Sequence, residues 1–140
     1  MKANELMLGD YVSHFNEEKK CVVIELRGRK VAVSYTDDNR NTKYSELLPE
    51  MAFEPIPLTV EILEKNGFIR KYEIGDEVIW KSEDLRIQLT DDERMHNTYN
   101  RWSVHIDTED MCTMFYCELT YVHEFQHALR FCGIKKTIKL

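Results

Sequence analysis

Lys20-Cys21-Val22-Val23-Ile24-Glu25-Leu26 and Lys30-Val31-Ala32-Val33-Ser34-Tyr35 are two apolar, β-branched runs separated by Arg27-Gly28-Arg29. Runs of this length around a glycine-centred turn predict a β-hairpin. Short strands are predicted on either side of it. Gly9-Asp10-Tyr11-Val12 opens one, and Met51 to Ile56 forms a last one. Asp37-Asp38-Asn39-Arg40-Asn41 is a second turn cluster, and Tyr44 to Pro49 is expected to make a short helical turn. Five short strands in so few residues predict a small SH3-like β-barrel over residues 1–56. Barrels of that type bind peptides, nucleic acids or nothing, so the fold alone names no function.

Pro55-Ile56-Pro57-Leu58 punctuates the chain, and a boundary is expected there. Thr59 is a good N-cap for a helix over Val60 to Asn66, and Gly67 is its expected left-handed stop. Leu58 before the cap and Leu63 inside fit a hydrophobic staple. Beyond Gly67 the pattern predicts a four-stranded antiparallel meander. Its strands are Glu77 to Lys81, Leu85 to Leu89, Arg101 to Asp107 and Met111 to Leu119, with Thr90 to Asn100 as a polar loop. A final helix over Tyr121 to Cys132 is expected to be capped by Thr120 and stopped at Gly133. Residues 57–140 thus read as a helix–antiparallel sheet–helix unit, and the whole chain as α+β.

One string matches a catalytic motif. His123-Glu124-Phe125-Gln126-His127 spells H-E-x-x-H. On a helix, two histidines four residues apart share a face and can bind Zn²⁺, with the glutamate as general base for an attacking water. Two features argue against that use. A helical wheel puts Tyr121, Val122, Phe125, Ala128, Leu129 and Cys132 on one apolar stripe, with His123, His127 and Arg130 opposite it; both histidines face solvent if the helix simply covers one face of the sheet, while Phe131, off the stripe, allows partial cover. A catalytic zinc also needs a third protein ligand, and no Glu, Asp or His follows His127. A third ligand would have to come from upstream: His105, His96 or Glu118. The expected role of the motif is a polar helix face with no cofactor. The alternative is a minimal zinc hydrolase, with His123 and His127 on the metal and Glu124 as base.

Composition narrows the function classes. The 140 residues are 43% hydrophobic and 31% charged, which fits a globular chain. No apolar run approaches the length that crosses a bilayer, and the first residues lack a signal-peptide core, so a cytoplasmic protein is expected. The net charge is −6, with 8 basic and 10 acidic groups in residues 1–58 and 11 and 15 in residues 59–140. Such a field disfavours nucleic acid as a partner. One basic cluster, Arg27, Arg29 and Lys30 with Lys19 and Lys20 near in sequence, is the candidate binding patch; a solvated hairpin tip is the simpler account. Cys21, Cys112, Cys117 and Cys132 form no C-x-x-C pair and are expected as reduced, mostly buried thiols. Asp91-Asp92-Glu93 and Asp107-Glu109-Asp110 are expected as solvated loops rather than a divalent-cation site, since they lack the alternation of a calcium loop. Tyr44, Trp80, Tyr99 and Trp102 are expected as core aromatics, with an exposed aromatic surface on the barrel as the alternative.

Three segments together carry a resemblance. They are Met1 to Leu6 with Gly9-Asp10-Tyr11-Val12, then Pro55-Ile56-Pro57-Leu58-Thr59 through Ile62 to Phe68, and Tyr121 to Arg130. The chain resembles a group of small proteins of gut anaerobic bacteria and of their phages and mobile elements, a group with no established activity. The resemblance implies Gln and Asn at the positions of Glu124 and His127 in similar members, which zinc chemistry would not survive. It lowers the enzyme reading and supplies no function in its place; the expectation is a non-enzymatic accessory protein of a phage or mobile element that binds another protein or, against its net charge, a nucleic acid.

Overall fold

The computed structural model describes residues 1–15, 19–74, 77–82, 87–92, 102–106 and 118–140. It divides into two compact units, Met1–Ile56 and Pro57–Leu140. Among the described residues no helix is long and apolar enough to cross a membrane. Both units are built on antiparallel strands, and the two α-helices of the described residues belong to the second, so the chain is α+β.

In the first unit the strands are β1 (Tyr11–His14), β2 (Lys20–Arg27), β3 (Lys30–Thr36), β4 (Thr42–Tyr44), β5 (Leu48–Pro49) and β6 (Phe53–Pro55). Gly28 turns the β2–β3 hairpin at φ 59°, a left-handed backbone that strains any side chain. The order is β4-β3-β2-β1-β6, with β5 also on β3. The expected helical turn at Tyr44 to Pro49 is instead the end of β4, a connection and β5; a 3₁₀ turn follows at Glu50–Ala52.

The expected barrel is an open sheet: among the described residues, no pairing joins β4 or β5 to β6. The edge strands are two or three residues long, and Pro49 and Pro55 have no N–H to extend a ladder. One face carries the core, where Val12, Cys21, Val23, Val31, Val33 and Phe53 pack with Ala3 and Leu6 of the N-terminal turn.

In the second unit, α1 (Val60–Lys65) starts where Thr59 accepts the Ile62 N–H at 3.4 Å, and stops at Gly67 with φ 83°. Leu58 and Leu63, the predicted staple, are both buried. The sheet has five strands rather than four: β7 (Phe68–Ile74), β8 (Glu77–Ser82), β9 (Ile87–Asp92), β10 (Trp102–Ile106) and β11 (Glu118–Leu119), paired in that order. β7 escapes a period-two count because a bulge between Arg70 and Tyr72 shifts its register, and charged residues interrupt its apolar positions. β9 runs on through Asp92, into residues expected as loop. Residues 111–117 of the expected last strand lie outside the described residues, as do Tyr99 and the Asp107-Glu109-Asp110 cluster.

Phe68, Trp80, Leu89, Trp102 and Leu119 are buried, with Trp80 edge-on to Trp102 at 6.4 Å. Helix α2 (Val122–Phe131) brings Phe125 edge-on to Phe68 at 5.7 Å. Asn66 fixes the last segment of the chain. Its Nδ2 donates to Ile62 O at 2.7 Å and to Lys139 O at 2.8 Å, and its Oδ1 accepts the Lys139 N–H at 2.9 Å.

Two stability measurements check this packing by urea unfolding. Leu129→Ala is expected to cost about 2–5 kcal/mol, as for other fully buried leucines. Asn66→Ala is expected to cost about 1–3 kcal/mol, the penalty for stranding buried polar groups, and to raise hydrogen exchange at the Lys139 amide. An Asn66→Ala protein with unchanged Lys139 protection would refute the clamp.

Candidate functional site

The H-E-x-x-H string begins in the first turn of a helix. Tyr121 is the N-cap of α2, one residue later than the expected Thr120, so His123 is the second helical residue and Glu124 the third. A glutamate at that place can fold back on the chain entering the helix. Glu124 does so: its Oε2 accepts the Thr120 N–H at 2.7 Å and the Tyr121 N–H at 3.0 Å. The first turn of a helix leaves N–H groups without intrahelical partners and carries the positive end of the helix dipole, so a carboxylate is stabilised there. One oxygen of this carboxylate, Oε2, is thus engaged with two backbone amides.

The histidines depart from their expected places. His123, predicted to face solvent, is 3% exposed; Gln126 is also buried, and His127 is half-buried. The His123 ring stacks on Tyr121 at 5.8 Å and 11°, and meets His127 edge-on at 5.8 Å. The buried arc therefore runs from Ala128 through Leu129, Val122 and Gln126 to His123, roughly 220° at 100° per residue. The apolar stripe of the sequence marks only the part of that arc that is hydrophobic.

Among the described residues, no three His, Cys, Asp or Glu side chains come close enough to hold a metal ion. His96 and the side chains of His105 and Glu118, the upstream ligands considered, lie outside the described residues. So do Cys112, Cys117 and the side chains of Asp91 and Asp92. Cys21 and Cys132 are free thiols, and burial pushes the Cys132 thiol up, away from the reactive thiolate form.

The basic cluster is divided by the hairpin. Lys20 and Arg27 end opposite termini of β2, about 23 Å apart at roughly 3.3 Å per residue. Lys19 and Lys20 therefore do not join the turn, and Lys19 instead lies over the Tyr35 ring at 5.2 Å. At the turn itself, Arg27 pairs with Glu25 at 3.0 Å. Arg29 Nε donates to Glu50 Oε1 at 2.7 Å, while Glu50 Oε2 accepts the Ala3 N–H at 2.7 Å. Lys30 is exposed beside them. The Ala3 N–H first, and then Arg29, hold the Glu50 carboxyl below its ordinary value of 4.5.

Tyr44 is the residue whose role the sequence misplaces. Trp80 and Trp102 are core, but Tyr44 is 70% exposed. It ends a cross-strand row, Tyr44–Ser34–Val22–Tyr11, on the sheet face opposite the core. Ile24, at the β2 bulge, is exposed as well. The signal was available: Tyr44 follows a polar turn cluster at the far edge of the hairpin, where no further strand covers it. Comparison with protein-family models, with curated proteins and with solved structures finds no match for this chain.

Two measurements follow from these contacts. Protein purified without chelator is expected to hold far less than one equivalent of zinc by elemental analysis; stoichiometric zinc that disappears in His127→Ala would overturn the assignment of Glu124 as a helix cap alone. Glu50 is expected to govern acid sensitivity. Because its folded value is depressed, its stabilisation is complete above pH 4.5 and is lost as pH falls through the folded value. Glu50→Gln should therefore lower stability at neutral pH and flatten the fall below pH 4.5 in a pH series of thermal melts.

Proposed function

We propose that this chain is a non-enzymatic accessory protein of a phage or mobile element, and that it works by binding another protein through Met1–Ile56. The phage or mobile-element setting rests on the resemblance carried by Met1–Leu6, Pro55–Phe68 and Tyr121–Arg130. The binding mode rests on one observation, the aromatic-ended row Tyr44–Ser34–Val22–Tyr11 on the coreless face of the sheet. Tyrosines suit protein contacts because they bring a large apolar area and a hydroxyl at little entropic cost.

On this reading Met1–Ile56 acts as an SH3-like unit, with its first strand paired to its last, β1 to β6. A protein partner fits better than nucleic acid, since the chain is acidic overall and the lysines and arginines of its hairpin cluster are split between the two ends of β2. The alternative, zinc hydrolysis by His123, His127 and Glu124, gains from the edge contact of the two rings and is disfavoured by the use of Glu124 Oε2 as a helix cap.

A photoreactive benzoylphenylalanine at position 44 tests the proposal in the cell of origin. One discrete protein adduct is expected from position 44, and none from the same group placed at exposed Glu64. Adducts of equal yield from both positions, or nucleic acid as the sole adduct, would sink it.

A further inference from the structure

The side of α2 that is covered at His123 opens toward the end of the helix. At 100° per residue, Gln126, Arg130 and Gly133 follow His123 along that side. There a cavity of about 250 Å³ is lined by Gln126, Leu129 and Arg130 of α2 and by Ile134, Lys135 and Lys136 of the returning chain. Gly133, at φ 73°, makes the return.

The lining has two chemistries. Gln126 and Leu129 are 7% and 1% exposed and form the inner wall with half-buried Ile134. Arg130 and Lys135 are exposed and Lys136 is half-buried, so the rim is cationic. No Asp or Glu follows Glu124 in the sequence, while Arg130, Lys135, Lys136 and Lys139 do. This run is locally basic in a chain of net charge −6.

The wall formed by the returning chain is held in place. Lys136 Nζ donates to Asn66 O at 2.9 Å, and Asn66 bonds the Lys139 backbone in both directions. A helix C-terminus ordinarily repels anions through its exposed carbonyls. Here Leu129 O and Arg130 O accept the Ile134 and Gly133 N–H groups at 2.9 Å, which engages carbonyls that would otherwise oppose an anion.

We propose that this cavity binds a small organic anion. Its acidic head, carboxylate or phosphate, sits among Arg130, Lys135 and Lys136. Its short apolar body lies on Leu129 and Ile134, with the Gln126 carboxamide supplying a hydrogen bond. The volume matches such a ligand, with space for about eight groups of water size at roughly 30 Å³ each. An apolar wall with a few convergent polar groups is the usual build of a small-molecule site.

The test is a ¹H–¹⁵N NMR titration of the full chain with hexanoate, butyl phosphate, 1-butanol and inorganic phosphate. Saturable shifts are expected for hexanoate, butyl phosphate or both, at the Gln126 side-chain amide and the Ile134, Lys135 and Lys136 backbone amides. The dissociation constant should lie at or below about 1 mM; binding by only one of the two identifies the head group. Arg130→Ala combined with Lys135→Ala should weaken it at least about tenfold. Both side chains are exposed, and an unchanged remainder of the spectrum shows that the fold survives. Equal shifts with 1-butanol would reduce the cavity to an apolar hollow, and equal shifts with inorganic phosphate would reduce it to surface charge. Either result, unchanged binding in the double variant, or no shifts up to about 10 mM, overturns the proposal.

Discussion

The second unit depends on how the backbone of one buried residue, Leu58, has its polar groups satisfied. Leu58 is 1% exposed, so its N–H and C=O cannot turn to water. The N–H donates to Thr120 O at 2.9 Å, and the C=O accepts the Trp102 Nε1–H at 3.0 Å. Pro57, which has no N–H to strand, bridges to Tyr121. The entry to α1 is thereby tied to the entry to α2 and to the Trp102 indole of β10. Glu124 completes the arrangement by holding the Thr120 and Tyr121 amides. Remove any one partner and a buried peptide group loses its bond, at a cost of about 1–3 kcal/mol.

That junction explains why the glutamate of a catalytic-looking string caps its own helix. H-E-x-x-H is defined by spacing, and spacing is indifferent to where a helix begins. In the middle of a helix, the glutamate side chain projects from a turn whose N–H groups are already bonded. Three residues after the N-cap it meets unbonded N–H groups at the positive end of the dipole, and a carboxylate binds them. The same placement accounts for His123. The second residue of a helix follows the chain entering it, and the ring finds Tyr121, the N-cap itself, as a stacking partner.

Features set by a single local residue were legible in the sequence. Thr59 caps, Gly67 and Gly133 stop their helices, and Gly28 turns the hairpin, because each answers a local backbone demand that no distant contact changes. Phe125, Leu129 and the two tryptophans were legible as core for the same kind of reason: nothing polar competes for their surface. What sequence could not show is set from outside the element. β7 carries a bulge that breaks its alternation; the ends of β9 are decided by β8 and β10; His123 and Gln126 are buried by neighbours rather than by their own hydrophobicity. Tyr44 errs in the opposite sense, an apolar ring left outside because its strand lies at an edge.

Charge shows the same division between local and long-range cause. A net charge of −6 describes the field at a distance, where salt screens it within about 8–10 Å. Inside that range only the neighbours matter, and sequence proximity is a poor guide to them in a strand. Lys20 and Arg27 are seven residues apart and about 23 Å apart, well beyond screening, so the basic hairpin has two small ends rather than one patch. A glycine-ended helix does the reverse. Gly133 folds Lys135 and Lys136 back beside Arg130, so cations five and six residues apart in sequence line one cavity. A β-strand disperses the charge of a sequence cluster, and a helix reversal gathers it, which is why three cations line one cavity at the turn after α2 while those of the hairpin stand at the two ends of β2.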